Sequence, residues 1–574
     1  MSFISILRNL WEIFTPLDKR KFIIVLIFTV IMACIETAGV LSIMPFLAVI
    51  SNPEIINTNK TIHNFYMTFK SNNFKEFVIQ LGVMSMAVVL LSSGFKVINQ
   101  YVLSRFLSLQ RHYFSTRLLK IYLMQDYDFF LQKNSSELSK NILSEVDQLV
   151  NNVIQPILQI ISYGLVLFAM VLVIFIYHPI MAIGVVCSLS IIYTIIFINI
   201  RKLLERIGRE FQYANKERYR VCQEVLSGIK DVKINNAIKN YLQYFNNQSR
   251  VYAKNLATNN TVSQVPLYIV ETIGYCSLIV LAITLVMLSN KIEIVLPVLG
   301  LYGFAAYRML PAAQNIYRAV AKMKFVSIVF EKIHNDLRLK VVDEDVLEDK
   351  DSNKLVNFKE CIELRNVHYA YPSSLDKPVL DRFNLIIKKA MSIGVVGRSG
   401  SGKSTLMDIL LGLLKPQSGE LLIDGVEINE NNVSDWQNKI GYVPQFIYLS
   451  DSSVEENIAF GVEKNQIDKQ AVIKAAKIAN IDDFINEELI DGYETKIGER
   501  GVRLSGGQRQ RIGIARALYK NPDVIFMDEA TSALDKETEL SVYMDILKYT
   551  GEKTIIIITH SENISEFCDE IIKL

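Results

Sequence analysis

"SIGVVGRSGSGKSTLMDILL", residues 392–411, is an apolar run, then nine residues holding three glycines, a lysine and four hydroxyls, then an amphipathic run. A strand opening through a glycine-rich loop into a helix is the context a phosphate loop requires. In Gly397, Arg398, Ser399, Gly400, Ser401, Gly402, Lys403, Ser404 and Thr405, the glycines let successive backbone N–H groups turn inward on phosphate oxygens. Lys403 reaches the β and γ oxygens and Ser404 offers a hydroxyl to Mg²⁺. ATP with Mg²⁺ is therefore the expected ligand, and an α/β nucleotide-binding domain the expected surrounding fold.

Downstream, the apolar run 524–527 delivers Asp528 and Glu529 to its polar end. Asp528 suits the metal shell and Glu529 the general base that polarises an attacking water. The run 554–559 brings His560 to the same sheet edge, to contact the γ-phosphate or orient the water. Gln445, after the run 441–444, suits Mg²⁺ or water, and a neutral amide releases cheaply when the γ-phosphate leaves. Tyr371 offers a ring face for stacking on adenine, with core packing as the competing reading.

A second anion site stands about a hundred residues beyond the first. In "LSGGQRQRIGIARAL", residues 504–518, Ser505, Gly506, Gly507 and Gln508 open a helix whose free N–H groups suit a phosphate, with Ser505 as hydroxyl donor. It carries no lysine. One phosphate loop already serves one nucleotide, so the second site fits a nucleotide held by another subunit. A two-fold head-to-tail dimer satisfies both sites.

The upstream half has a different composition. The chain has 574 residues, 50% of them hydrophobic, and a mean hydropathy of +0.24. The long apolar runs crowd into the first 310 residues, which predicts at least two parts, one of them in a membrane. Six stretches reach the length of a bilayer-crossing helix: 22–50, 77–103, 153–177, 180–200, 267–289 and 292–310. The expected architecture is an all-α six-helix transmembrane domain over 1–335 with long cytoplasmic helical extensions, a charged linker over 336–354, and an α/β phosphate-loop domain over 355–574. The long connections read as helices leaving the membrane and reversing near 126–132 and 228–234. Pro311 is a candidate kink, with helix continuing to about His334. Arg201, Lys202, Arg206, Arg209 and their neighbours make the second long connection basic, which places it in the cytoplasm, paired at i,i+4 spacing with Glu205, Glu210 and Glu217.

Composition excludes several classes. A net charge of +2 is too small to point to nucleic acid. Six scattered cysteines without a CxxC pair predict reduced thiols, neither a zinc site nor a disulfide frame. The charged stretch 18–21 precedes a long apolar run without a nearby cleavage site, so a retained anchor is expected. Four charged residues inside spans, Glu36, Lys96, Glu271 and Arg308, each cost roughly 2.5 to 3.5 kcal/mol at a helix centre and so should face a partner or a wet cavity. They either meet a pyrophosphate headgroup, for which Arg308 and Lys96 are suited, or pair with one another.

In order and spacing these motifs resemble those of the ATP-binding cassette (ABC) exporters of the half-transporter type, with the architecture of lipid A exporters, over essentially the whole chain. The resemblance makes residues 397–405 the Walker A loop, Gln445 the Q-loop glutamine, residues 504–508 the signature motif, Asp528 and Glu529 the Walker B aspartate and catalytic base, and His560 the switch histidine. It places Asp535 in a D-loop (Ser532-Ala-Leu-Asp535) and gives Tyr371 the adenine-stacking role. Residues 495–501 resemble an exporter-only segment, which disfavours an importer. Ala390 stands where many relatives carry a glycine, Ser561 where a basic residue is common, and Leu574 follows the switch histidine sooner than usual.

Within the spans, Ile35-Glu36-Thr-Ala-Gly39 with Met44-Pro45, Tyr268-Ile-Val-Glu271-Thr-Ile-Gly-Tyr275 and Tyr307-Arg308-Met-Leu-Pro311 are similar to lipid-linked oligosaccharide flippases of bacterial glycosylation pathways. That resemblance implies a homodimeric flippase of the bacterial inner membrane with its nucleotide-binding domains in the cytoplasm. A peptide or amphiphile exporter and an ATP-gated channel or regulator are the alternatives.

Overall fold

The computed structural model describes the chain apart from residues 1–2, 52, 54, 59, 69–72, 178, 289–291, 340–355, 373, 499–500, 502–503, 530–540, 542–543, 549–550, 552 and 560–567. It divides into two units: Met1–Gln125 with Gln132–Val341, and Asp126–Leu131 with Val342–Leu574.

The first unit is helical. Its long elements are Pro16–Leu41, Phe74–Leu123, Gln155–Tyr177, Pro179–Ser227, Ile238–Leu288 and Ile292–Phe325. Among the described residues four helical stretches are long and apolar enough to cross a membrane: Pro16–Gly39, Phe74–Leu123, Ser135–Leu172 and Val186–Ser227. The remaining two expected spans lie within the Ile238–Leu288 and Ile292–Phe325 helices. Outward-facing Leu90, Leu91 and Phe168 leave an apolar face suited to lipid. The helices of 50, 49 and 51 residues run about 75 Å at 1.5 Å per residue, more than twice a hydrocarbon core, so they continue far outside it. They reverse at two short helices, Tyr127–Gln132 and Ile229–Ile234.

Three expectations change. The final helix continues past Pro311 and, short of the expected end near His334, breaks at Val326 (φ −103°, ψ 15°), where Ser327 Oγ donates to the Lys324 carbonyl and competes with the helical ladder. A second helix, Ser327–Asp336, follows. Glu205 pairs with Lys324 on another helix and not at i,i+4, and Glu217 pairs with Arg220 at i,i+3; Arg206 and Glu210 keep the expected spacing. Between Ser135–Lys140 and Gln155–Tyr177 the chain takes two π-helical turns, Asn141–Glu145 and Val150–Ile154. A buried ion pair spans the first, from Lys140 Nζ at the end of the preceding helix to Glu145 Oε1 at 2.7 Å.

The second unit contains two sheets. An antiparallel sheet has the order β2-β1-β4-β5, with β1 Cys361–Tyr369, β2 Leu380–Lys388, β4 Ser418–Ile423 and β5 Val426–Glu427. The other is parallel in the order β6-β7-β8-β3-β9, with β3 Ser392–Val396, β6 Ile440–Val443, β7 Val524–Asp528, β8 Thr554–Ile558 and β9 Glu570–Lys573. Val, Ile and Phe fill its central strands because parallel strands are covered on both faces. The core between the two sheets includes Trp436, fully buried, whose Nε1–H donates 2.8 Å to the Leu410 carbonyl. That bond satisfies an end-group of the Lys403–Leu410 helix and fixes its far end. All six cysteines are free thiols.

Candidate functional site

The register of the parallel sheet aligns the site. Val395 pairs with Ile558, Ile558 with Asp528, and Met527 with Val443. The carboxyl ends of β3, β8, β7 and β6 therefore lie along one edge, and the residues just beyond them are Gly397, Thr559, Glu529 and Pro444-Gln445. Parallel sheets present their ligand-binding loops at this edge. His560, one residue past Thr559, and Asp535 lie outside the described residues, as does part of the 495–501 segment.

The glycine loop turns as its composition demands. Gly400 and Gly402 have φ of +82° and +101°, and a Cβ on Gly402 would stand 2.7 Å from Val379 Cγ1. Lys403 is buried, with Nζ donating to the Gly397 and Arg398 carbonyls at 2.8 and 3.1 Å, which folds the ammonium over the loop. Ser401 Oγ is buried without a hydrogen-bond partner among the described residues. An orphaned hydroxyl within a glycine-rich loop fits a phosphate oxygen as its acceptor. Ser399 and Ser404 are exposed, leaving the Ser404 hydroxyl accessible to a cation.

The acidic side of the site is crowded. Burial and the neighbouring Glu529 charge raise the Asp528 pKa, while Lys403 pulls it down. Asp408, on the helix after the loop, is pushed up to about 6 by burial and by Asp528. Gln445 Nε2 donates 2.6 Å to Glu529 Oε2, joining two residues separated by 84 positions in sequence. Glu529 takes φ +45°, a left-handed conformation costly for a side chain with a Cβ, and its N–H is anchored to the Ile558 carbonyl at 3.0 Å. Among the described residues no group of three His, Cys, Asp or Glu side chains forms a metal cage. A hydroxyl (Ser404), one carboxylate (Asp528) and an amide (Gln445) suit Mg²⁺, which keeps waters and phosphate oxygens as most of its ligands.

Tyr371 lies two residues beyond β1. Its Oη shares a hydrogen bond with Thr405 Oγ1 at 2.9 Å, and its ring meets Tyr369 edge-to-face at 5.2 Å. It remains half-buried.

Ser505 is the N-cap of the Gly506–Tyr519 helix. Its Oγ accepts from the Gln508 N–H at 3.2 Å while Gln508 Oε1 accepts from the Ser505 N–H at 2.7 Å, a reciprocal capping box. The Gly506 and Gly507 N–H groups sit in the first turn, where no intrahelical acceptor exists. Further along, Gly513 packs against Ile447; a Cβ there would stand 2.4 Å from Ile447 Cδ1. Arg516 donates to the Tyr448 and Asn457 carbonyls at 2.8 Å each. The signature helix thus holds the loop that carries Gln445. Gly513, Arg516, Asp408 and Tyr369 escape sequence reasoning because each looks like ordinary helix or strand. The one textual signal is Asp408 inside the apolar run "LMDIL".

In the helical unit, Lys96 Nζ and Glu36 Oε1 stand 2.6 Å apart, so these two charges pair with each other. Glu271 is half-buried on the Ile238–Leu288 helix, and the Arg308 side chain lies outside the described residues.

Residues 22–299 match the family model "ABC transporter transmembrane region", and residues 380–532 match "ABC transporter". ABC transporter B family members 2 of Dictyostelium discoideum and 15 of Arabidopsis thaliana are 43% and 42% identical over 210 residues. Those segments are 37% of this chain but 15% and 17% of the two relatives, so the chain spans less than a fifth of their length. An ATP-dependent lipid A-core flippase of Nitrosococcus oceani is 29% identical over 78% of this chain and 73% of its own. A bacterial Atm1-family ABC exporter solved with ATP bound superposes with a TM-score of 0.78 at 20% identity, over 98% of this chain and 94% of that one.

Proposed function

As an ABC transporter carrying the family's transmembrane region and its nucleotide-binding domain in one chain, this protein, we propose, is an ATP-driven exporter built from two half-transporters that flips a lipid-linked oligosaccharide to the outer leaflet of a bacterial inner membrane. The observation that carries the ATPase reading is the register line Val395, Ile558, Asp528, which sets the glycine loop, Glu529 and Gln445 along one edge. Loop N–H groups and Lys403 hold the phosphates, and Tyr371 faces the adenine. Ser404, Asp528 and Gln445 would hold Mg²⁺, which when bound would neutralise charge developing on the transferred phosphoryl group. Were Gln445 to leave its bond to Glu529, the Glu529 carboxylate would be free to accept the water's proton. By resemblance to the family's motifs, His560 contacts the γ-phosphate or orients the water, and Asp535 belongs to the D-loop.

The second nucleotide contact comes from a partner chain. Ser505, Gly506, Gly507 and Gln508 cap the γ-phosphate held by the other subunit's glycine loop, through neutral dipoles that let go after hydrolysis. Leu226, Ile229, Ile234, Ile238 and Leu242, exposed around the second reversing turn, are an apolar surface that a second, identical subunit would cover. Closure of the two nucleotide-binding domains passes through the reversing turns and shifts the bundle from inward-open to outward-open.

The substrate reading rests on the span motifs and on charges held among apolar helices. Glu36, Lys96, Glu271 and Arg308 are the residues assigned to the headgroup, with the Lys96–Glu36 pair opening to admit a pyrophosphate. Relatives named as lipid A-core flippases support a lipid cargo. Purified protein in proteoliposomes should move labelled polyprenyl-pyrophosphate oligosaccharide with ATP, while Glu529→Gln binds ATP without turnover. Movement that persists in Glu529→Gln would end the ATP-driven reading. Intact ATPase without glycolipid movement would transfer the cargo to peptides or other amphiphiles.

A further inference from the structure

Resting on the ATP-driven reading above, we propose that Tyr369 is the positioning residue through which adenine stacking on Tyr371 is felt at the reversing turn Asp126–Leu131. That turn belongs to the nucleotide-binding unit and not to the helical unit it interrupts. Tyr369 Oη donates 2.7 Å to Asp128 Oδ1 within it. The Tyr369 ring is fully buried, and burial together with the bond to Asp128 raises its pKa far above the ordinary phenol range, so it stays a donor at any working pH. Its edge meets Tyr371, and Tyr371 Oη meets Thr405 Oγ1 on the helix that starts with Lys403.

The backbone between the two tyrosines is fixed. Gln417 accepts from the Ala370 N–H at 2.7 Å and donates to the Ala370 carbonyl at 2.6 Å. Both rings therefore pivot about one anchored residue, so a base laid on Tyr371 cannot reorient that ring without pressing on Tyr369. Tyr127, beside Asp128, lies in the same field: burial raises its pKa, with Asp408 and Tyr371 adding to the effect. Nucleotide-facing Thr405 is thus linked to Asp128 by two hydrogen bonds and one ring contact. Inorganic triphosphate, which fills the glycine loop but leaves Tyr371 bare, should not engage this linkage.

The test is hydrogen–deuterium exchange on the full chain in nanodiscs, in a Glu529→Gln background that retains bound nucleotide. With Tyr369 intact, Mg-ATP should slow exchange at both 397–405 and 126–131, the latter about tenfold, while inorganic triphosphate slows 397–405 alone. Tyr369→Phe keeps the ring and removes only Oη; it should retain ATP protection at 397–405 and lose it at 126–131. Asp128→Ala should do the same, whereas Asp128→Asn, which keeps an oxygen acceptor, should behave like the parent. Protection of the turn in Tyr369→Phe equal to the parent's, or protection by triphosphate alone, overturns the inference. Absence of ATP protection at 397–405 in every chain overturns the ATP-binding reading itself, and this inference with it.

Discussion

Two non-glycine residues in left-handed backbone separate structural cost from functional strain. Ala390, in the turn before β3, has φ +62° and donates its N–H to Thr554 Oγ1 at 3.0 Å. Its side chain is exposed, so the position carries a conformational cost with no packing return. The sequence marks it only as a missing glycine; the dihedral shows what that absence costs. Ala390→Gly should stabilise the protein by about 0.5–1 kcal/mol, read as a raised denaturation midpoint. An unchanged or lowered midpoint would mean that the unfolded-state entropy of glycine dominates there. Glu529 carries the same strain at φ +45°, but its backbone is pinned by Ile558 and its carboxylate by Gln445. Strain held in place on both sides in this way fits the catalytic role proposed for Glu529.

Two helix starts share one chemistry and differ in what lies beyond them. Ser453 and Ser505 both close capping boxes, with Glu456 and Gln508 respectively. Either serine to alanine should cost about 1 kcal/mol of stability. Only Ser505→Ala should also depress ATP hydrolysis, by roughly tenfold, because in the proposed composite site it alone removes a hydroxyl placed to bond a phosphate. Equal ATPase in the two variants would reduce the signature start to an ordinary cap. Helix contacts set a further limit. A Cβ on Gly208 would stand 2.2 Å from the Phe325 carbonyl oxygen, a backbone atom that cannot step aside as a side chain does. Gly208→Ala should therefore lower stability by about 1–3 kcal/mol, measured by thermal unfolding in detergent. Element identity was legible because β3 and β7 are apolar runs ending in glycine or acid, β8 is an unbroken isoleucine run, and the signature helix opens on a serine and two glycines. The π-turns at Asn141–Glu145 and Val150–Ile154 were not, since a π-turn changes hydrogen-bond pairing without changing composition.

At the scale of the molecule, one chain carries a glycine loop and a signature start, and the proposed dimer makes each serve a different nucleotide. Complementation separates this arrangement from a self-contained site. A heterodimer of one Lys403→Ala chain with one Gly507→Asp chain keeps one complete composite site and should retain measurable ATPase. A chain bearing both changes, paired with an unaltered chain, spoils both sites and should be near background. Equal activity in the two pairings would exclude the head-to-tail composite.

The sequence by itself determined the two-part plan, the membrane-crossing helices and the order of the nucleotide motifs, because each depends on local periodicity or on residues within about nine positions of one another. It also narrowed Glu36, Lys96, Glu271 and Arg308 to two roles without choosing between them. Tertiary structure alone brought Gln445 to Glu529, paired Lys96 with Glu36, set Arg516 under the Gln445 loop and joined Asp128 to Tyr369 across 241 residues. Such contacts are fixed by strand register and helix packing, and no short window of sequence records which distant side chain will fill the space opposite.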